Sequence, residues 1–179
     1  MFKVKFKRKR NHIPNLVKRV KDLSKQDVKI GWFKELGEHK SSSPYEQKDP
    51  LTYPQLASVL DWGNRHTGMR GFHYTDIMIA SNPIKDNKDI KKVLRKYFSN
   101  IKNSKPRITA NNVMQFIGGE YVQNYRNIIG NKGSLRSLKS STIEYKSSIG
   151  TPDPTSPLVA FGGLRDNVSY KVNGVIVTP

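Results

Sequence analysis

The chain has 179 residues, 32 Lys or Arg against 14 Asp or Glu for a formal net charge of +18, and no cysteine. That length is the size of one domain, and the absence of cysteine excludes disulfides, thiolate metal sites and cysteine nucleophiles. No apolar stretch reaches the roughly 20 residues of a membrane helix, and no signal-type apolar run follows the basic start, so a soluble protein is expected.

The charge is unevenly placed: +9 over residues 1–40 and +10 over 81–140, against −1 over 41–80 and neutrality over 141–179. A polyanionic partner is one reading of the two basic blocks. Lysine-rich surface helices that keep the protein soluble are the other.

Residues 1–10 alternate Phe2, Val4 and Phe6 with Lys3, Lys5 and Lys7, the period of a strand with one apolar and one basic face. The lysines would blunt an edge strand, although a basic run of this kind also suits a phosphate-binding arm. Ile13, Leu16, Val17, Val20 and Leu23 then fall at helical spacing with Pro14 in the first turn. They predict an amphipathic, core-facing helix. Val28–Phe33 reads as a second strand, and residues 34–52, with Pro44, Pro50 and few apolar side chains, as a mobile loop.

Tyr53–Gly63 predicts a short helix with Leu56, Val59 and Leu60 inward, Trp62 as a further inward candidate, and Gly63 at the C-terminal cap. After a polar turn, Phe72–Ala80 reads as a central strand. A helix from Asp86 to about Ile101 presents Ile90, Val93, Leu94, Tyr97, Phe98 and Ile101, with Asp86 as its cap. Thr109 caps a longer helix ending at Gly130, with Val113, Phe116, Ile117, Tyr121, Tyr125 and Ile128 on one face. The Gly118-Gly119 pair inside it costs about 1 kcal/mol per glycine relative to alanine. Close approach of another backbone and a helix kink are both consistent with that pair.

Residues 131–165 carry few apolar anchors, and a connection so long predicts an arm that orders against a neighbouring copy. Pro157–Val172 leads through Gly162-Gly163 into the alternation Val168, Tyr170, Val172. Asn173-Gly174 is the strongest short hairpin signal, because a type I′ turn needs φ > 0 at both central positions. Val175–Thr178 is the returning strand. The result is one α+β domain over 1–179, a twisted, mostly antiparallel sheet packed by amphipathic helices, with long mobile loops.

No catalytic constellation is visible. His12, His39, His66 and His73 form no i, i+4 pair. Gly130–Ser134 lacks phosphate-loop spacing and follows a helix, so it reads as a cap running into a loop. Asp61, Asp76 and Glu120 are isolated in sequence, whereas metal-dependent nuclease chemistry needs clustered carboxylates. The expectation is no enzyme, no cofactor and no metal.

Four segments carry a resemblance: Val28–Trp32, a strand closing on glycine; Tyr53–Gly63, an alanine-bearing helix ending in an acidic and an aromatic residue, then glycine; Gly68-Met-Arg-Gly-Phe72; and Ser141–Lys146 with Pro157–Gly162 and Leu164–Tyr170. In this order they resemble the neck or tail-completion (head–tail joining) proteins of tailed bacteriophages. The third segment keeps Arg70 and Phe72 of that family's Pro-x-Arg-Pro-Phe turn but has glycine at both proline positions. In the fourth, Ala160 and Phe161 stand where the family has Asp and Thr.

The resemblance spans about residues 28–172. It implies a structural virion protein that assembles in the host cytoplasm as a ring of six copies. Its partners would be a connector or portal-adaptor protein on one side and a tail or tail-terminator protein on the other, with DNA passing through the bore and no membrane. The candidate interface or architectural residues are Trp32, Trp62, Arg70, Phe72, Phe161 and Arg165. The alternative is a nucleic-acid-binding protein that contacts phosphates through Lys3, Lys5, Lys7, Arg8, Lys9 and Arg10, with Lys91, Lys92, Arg95 and Lys96.

Overall fold

The computed structural model describes residues 12–37, 51–66, 68–99, 101–103, 105–159 and 163–178. The expected basic strand at 1–10, most of the loop 34–52, and Phe161 lie outside them. The described residues form an α+β fold of seven helices with a three-stranded and a two-stranded antiparallel sheet. Helix predominates over sheet.

The organising element is α5 (Ala110–Ile128). Thr109 starts it as expected: its Oγ1 accepts the Asn112 N–H at 3.1 Å while Asn112 Oδ1 accepts the Thr109 N–H at 3.1 Å. Val113, Ile117, Tyr121, Val122, Tyr125 and Ile128 are buried along it. One side meets β1 (Val28–Gly31) and β4 (Ser169–Val172); another meets α3 (Tyr74–Ser81) and α4 (Lys88–Phe98). Gly118 lies under the Tyr170 ring, so the close neighbour at one glycine of the pair is a side chain and not the other backbone expected.

The C-terminal hairpin forms as its turn chemistry dictates. Asn173 (φ 51°) and Gly174 (φ 84°) take the two positive-φ positions, and β4 pairs β5 (Val175–Val177) with Val172 opposite Val175. β4 is central in the order β1-β4-β5, and Ile30 pairs with Tyr170. Asn173 also ties the hairpin to the start of β1: its N–H donates to Asp27 O, and the Asp27 N–H donates to its Oδ1.

Four expectations need correction. First, Phe72–Ala80 is a turn followed by α3, not a central strand. A short apolar run does not separate strand from buried helix by period alone. Here the Asp61 carboxylate accepts the Thr75 N–H at 3.2 Å and caps a helix that buries Tyr74 and Met78. Second, α1 (Ile13–Ser24) forms, but most of its apolar stripe does not face the core: Ile13 is 63% exposed, Val17 and Val20 are exposed too, while Leu23 packs against the core. Its buried side chain is Arg19, 1% exposed. The guanidinium donates to Tyr97 O, Ser99 O, Asn103 O and Lys105 O at 2.6–3.5 Å, gathering the carbonyls at and beyond the end of α4.

Third, Asn87 rather than Asp86 caps α4, accepting the Asp89 and Ile90 N–H groups, and the helix ends at Phe98. Fourth, residues 131–165 are not a bare arm. They hold α6 (Ser140–Ser148) and most of α7 (Gly163–Asp166), with Leu135, Lys146, Thr151, Ser156 and Leu164 buried within their own chain.

Candidate functional site

α2 (Tyr53–Trp62) is capped by Thr52 and Gln55, with Pro54 in its first turn. It ends at Gly63, where β2 (Gly63–Asn64) pairs with β3 (Met69–Arg70) and folds the chain back along the helix. The Phe72 N–H donates to Leu60 O at 2.9 Å and the His73 N–H to Asp61 O at 2.9 Å. These bonds fix the turn 68–72 against the end of α2.

A cavity of about 500 Å³ opens there. α2 contributes Leu56 and Leu60 to its wall, the turn contributes Met69, Arg70 and Phe72, and the following segment Arg136, Leu138 and Lys139. Thr142 and Lys146 of α6 close a third side, and Leu158, Val159 and Leu164 a fourth. Arg136 holds the turn: its guanidinium lies 4.5 Å over the Phe72 ring and donates to Arg70 O. Leu158 has φ 60°, a conformation that costs a leucine about 1–2 kcal/mol and is held by the surrounding packing.

Lys146 is buried, 7% exposed, and donates from Nζ to Ser156 O at 2.6 Å. Burial pulls its pKa below the usual lysine value, and the neighbouring Asp153 carboxylate pulls it back up. Asp153 in turn accepts from Ser156 Oγ at 2.6 Å and Thr155 Oγ1 at 2.7 Å and pairs with Lys132. Those hydrogen bonds and that cation hold its carboxyl well below the usual carboxylate range.

The expected site residues separate into distinct places. Arg70 and Phe72 line the cavity. Trp32 is half-buried behind it: its Nε1–H donates to Leu164 O at 2.7 Å, and its ring meets Tyr74 and Tyr125 edge-on at 5.7 and 5.3 Å. Desolvation raises the pKa of both tyrosines, which stay neutral in this cluster. Trp62 points outward rather than inward, 65% exposed, with its ring edge against His73. Arg165 is exposed and pairs with the adjacent Asp166 at 3.1 Å.

Lys91, Lys92, Arg95 and Lys96 share the exposed face of α4, opposite Ile90 and Tyr97. None forms an ion pair among the described residues. Phe161 and the set Lys3, Lys5, Lys7, Arg8, Lys9 and Arg10 lie outside the described residues. Asp61 is buried as a helix cap, Asp76 lies exposed on α3, and Glu120 accepts from Asn87 Nδ2 at 3.4 Å. Among the described residues, no group of three or more His, Asp or Glu could hold a metal ion.

Sequence reasoning passed over Arg136 and Lys146. Both are cations in the segment 131–165: Arg136 reaches a carbonyl and a ring far away in sequence, and Lys146 a carbonyl ten residues on. Comparison with protein-family models, curated proteins and solved structures finds no match.

Proposed function

We propose that the chain is a structural protein of the bacteriophage head–tail junction, assembling as a ring between connector and tail, with no catalytic role. One observation carries most weight beside the resemblance. The four family-like segments are scattered between residues 28 and 170, yet they are neighbours in space. β1 pairs β4, Trp32 bonds to Leu164, Leu60 bonds to Phe72, and α2, the turn 68–72, α6, Leu158, Val159, Gly163 and Leu164 wall one cavity. Segments that build one local structure support a common architecture better than segments spread over unrelated surfaces.

The test is labelling of purified virions with an antibody to this protein, viewed by negative-stain electron microscopy. Label at the head–tail junction is the expected result. Virions without label would overturn the reading.

A second reading is supported by the four exposed cations of α4, which form one face without an ion pair among the described residues. In that reading the protein binds nucleic acid through phosphates. Affinity should then fall steeply with salt, and Lys91→Glu with Arg95→Glu should flatten that dependence. The two readings are compatible, because DNA passes through a neck.

A further inference from the structure

The cavity beside α2 has an apolar floor and a cationic rim. Leu60, Leu138 and Leu164 belong to the floor; Arg70, Arg136 and Lys139 are exposed around it, and none of its described lining residues is an Asp or Glu. Deeper in the wall sits Lys146. Its ammonium has three donors, and Ser156 O is the one hydrogen-bond partner it has among the described residues. The Asp153 carboxylate already stands near this ammonium, so the charge left for a ligand is that of the rim.

We infer that this cavity receives an acidic segment of a partner protein, with an apolar side chain on the leucine floor and carboxylates turned to Arg70, Arg136 and Lys139. The volume, about 500 Å³, is within the roughly 300–1,000 Å³ of ligand cavities. Three cations spread around the rim exceed what the single headgroup of a fatty acid uses, whereas a chain segment can set an acid against each. The inference goes beyond the neck reading and does not depend on it. It names the chemistry that the surface recognises, and a protein that forms no ring would keep it.

The test is fluorescence polarisation of the full chain with a short fluorescein-labelled peptide alternating glutamate with leucine and phenylalanine, and with its lysine-for-glutamate counterpart. The acidic peptide should bind and the basic one should not. Lys139→Glu, an exposed change that leaves the core intact, should weaken binding about tenfold, a shift worth one charge contact. Leu138→Trp, checked for folding by circular dichroism, should abolish it. Lys91→Glu makes the same charge change on α4, away from the cavity, and should leave affinity within about twofold, as a distant screened charge does.

Equal losses from Lys91→Glu and Lys139→Glu would reduce the binding to diffuse attraction and overturn the proposal. So would binding of dodecanoate but not the peptide, or no binding of either. Phe161 lies between the lining residues Val159 and Gly163 in sequence, so a Phe161→Ala variant is included. Binding seen in that variant alone would mean that the cavity is not open to a partner in the native chain, and the proposal would fail.

Discussion

Gly118 and Gly119 are neighbours in α5, yet alanine should move stability in opposite directions at the two positions. An interior helical glycine costs about 1 kcal/mol relative to alanine. At Gly119 an added Cβ meets nothing within 4 Å, so Gly119→Ala should stabilise by about that amount. At Gly118 the same atom would lie 2.5 Å from Tyr170 Cγ and 3.0 Å from Cε2. Both are far inside the ~3.5–4.0 Å optimum for carbon pairs.

The ring has little room to yield, because Tyr170 is buried on β4, which is hydrogen-bonded to β1 on one side and β5 on the other. Overpacking of a core costs about 1–3 kcal/mol, and the upper end applies here. Set against the 1 kcal/mol helix gain, Gly118→Ala should lose about 2 kcal/mol, which puts the two variants about 3 kcal/mol apart. At this chain length that difference is roughly 6–12 °C in melting temperature. Urea unfolding followed by far-ultraviolet circular dichroism measures it. Equal stability of the two variants would refute close packing as the reason for Gly118, and a Tyr170→Leu change should restore stability only in the Gly118→Ala background.

Three further outcomes follow from the structure. Arg19→Met removes the donor that serves four carbonyls around the end of α4; breaking such a buried charged network costs about 3–5 kcal/mol, and a loss below ~1 kcal/mol in urea unfolding would contradict it. Val17→Lys, on the exposed stripe of α1, should change stability by no more than about 0.5 kcal/mol, whereas a loss above ~1.5 kcal/mol would mean that the stripe is covered. Asp153 has a folded-state pKa lowered by Ser156, Thr155 and Lys132. Its contribution is therefore present above the unfolded value of 3.8 and lost as pH falls through that value toward the folded one. Melting temperature should fall more steeply for the parent than for Asp153→Asn between pH 5 and pH 2; parallel curves would show that the carboxylate contributes nothing.

The elements legible in the sequence were those with local signals. Asn173-Gly174 selects its turn through backbone conformation alone, and Thr109 with Asn112 sets the start of α5 within one turn. The misread elements depend on partners that arrive from elsewhere. α3 is helical because the Asp61 carboxylate reaches Thr75 from the end of α2. In α1 the period was correct and the burial was not, because the core at that point needed a donor for carbonyls between residues 97 and 105. Hydrophobic spacing carries no information about unpaired carbonyls. The same limit explains much of the segment 131–165, where polar anchors (Arg136 on Phe72 and Arg70 O, Lys146 on Ser156 O, and the Asp153 turn) stand beside the few buried apolar ones, Leu135 and Leu164.

The turn 68–72 contains a glycine with a clear steric reason. A Cβ at Gly71 would press on the Asp61 carbonyl oxygen and lie 2.5 Å from Trp62 C. Both are backbone atoms at the end of α2, and the hydrogen bonds from Phe72 and His73 to Leu60 and Asp61 hold the two segments together on either side. Neither partner can rotate away as a side chain would. Gly71→Pro should therefore destabilise by about 3 kcal/mol or more through steric conflict with fixed backbone. It should also weaken acidic-peptide binding, because Arg70 and Phe72 would be displaced from the cavity wall. A Gly71→Pro variant with parental stability would show that the turn can move away from α2, and that the Arg70–Arg136–Phe72 arrangement does not depend on the glycine.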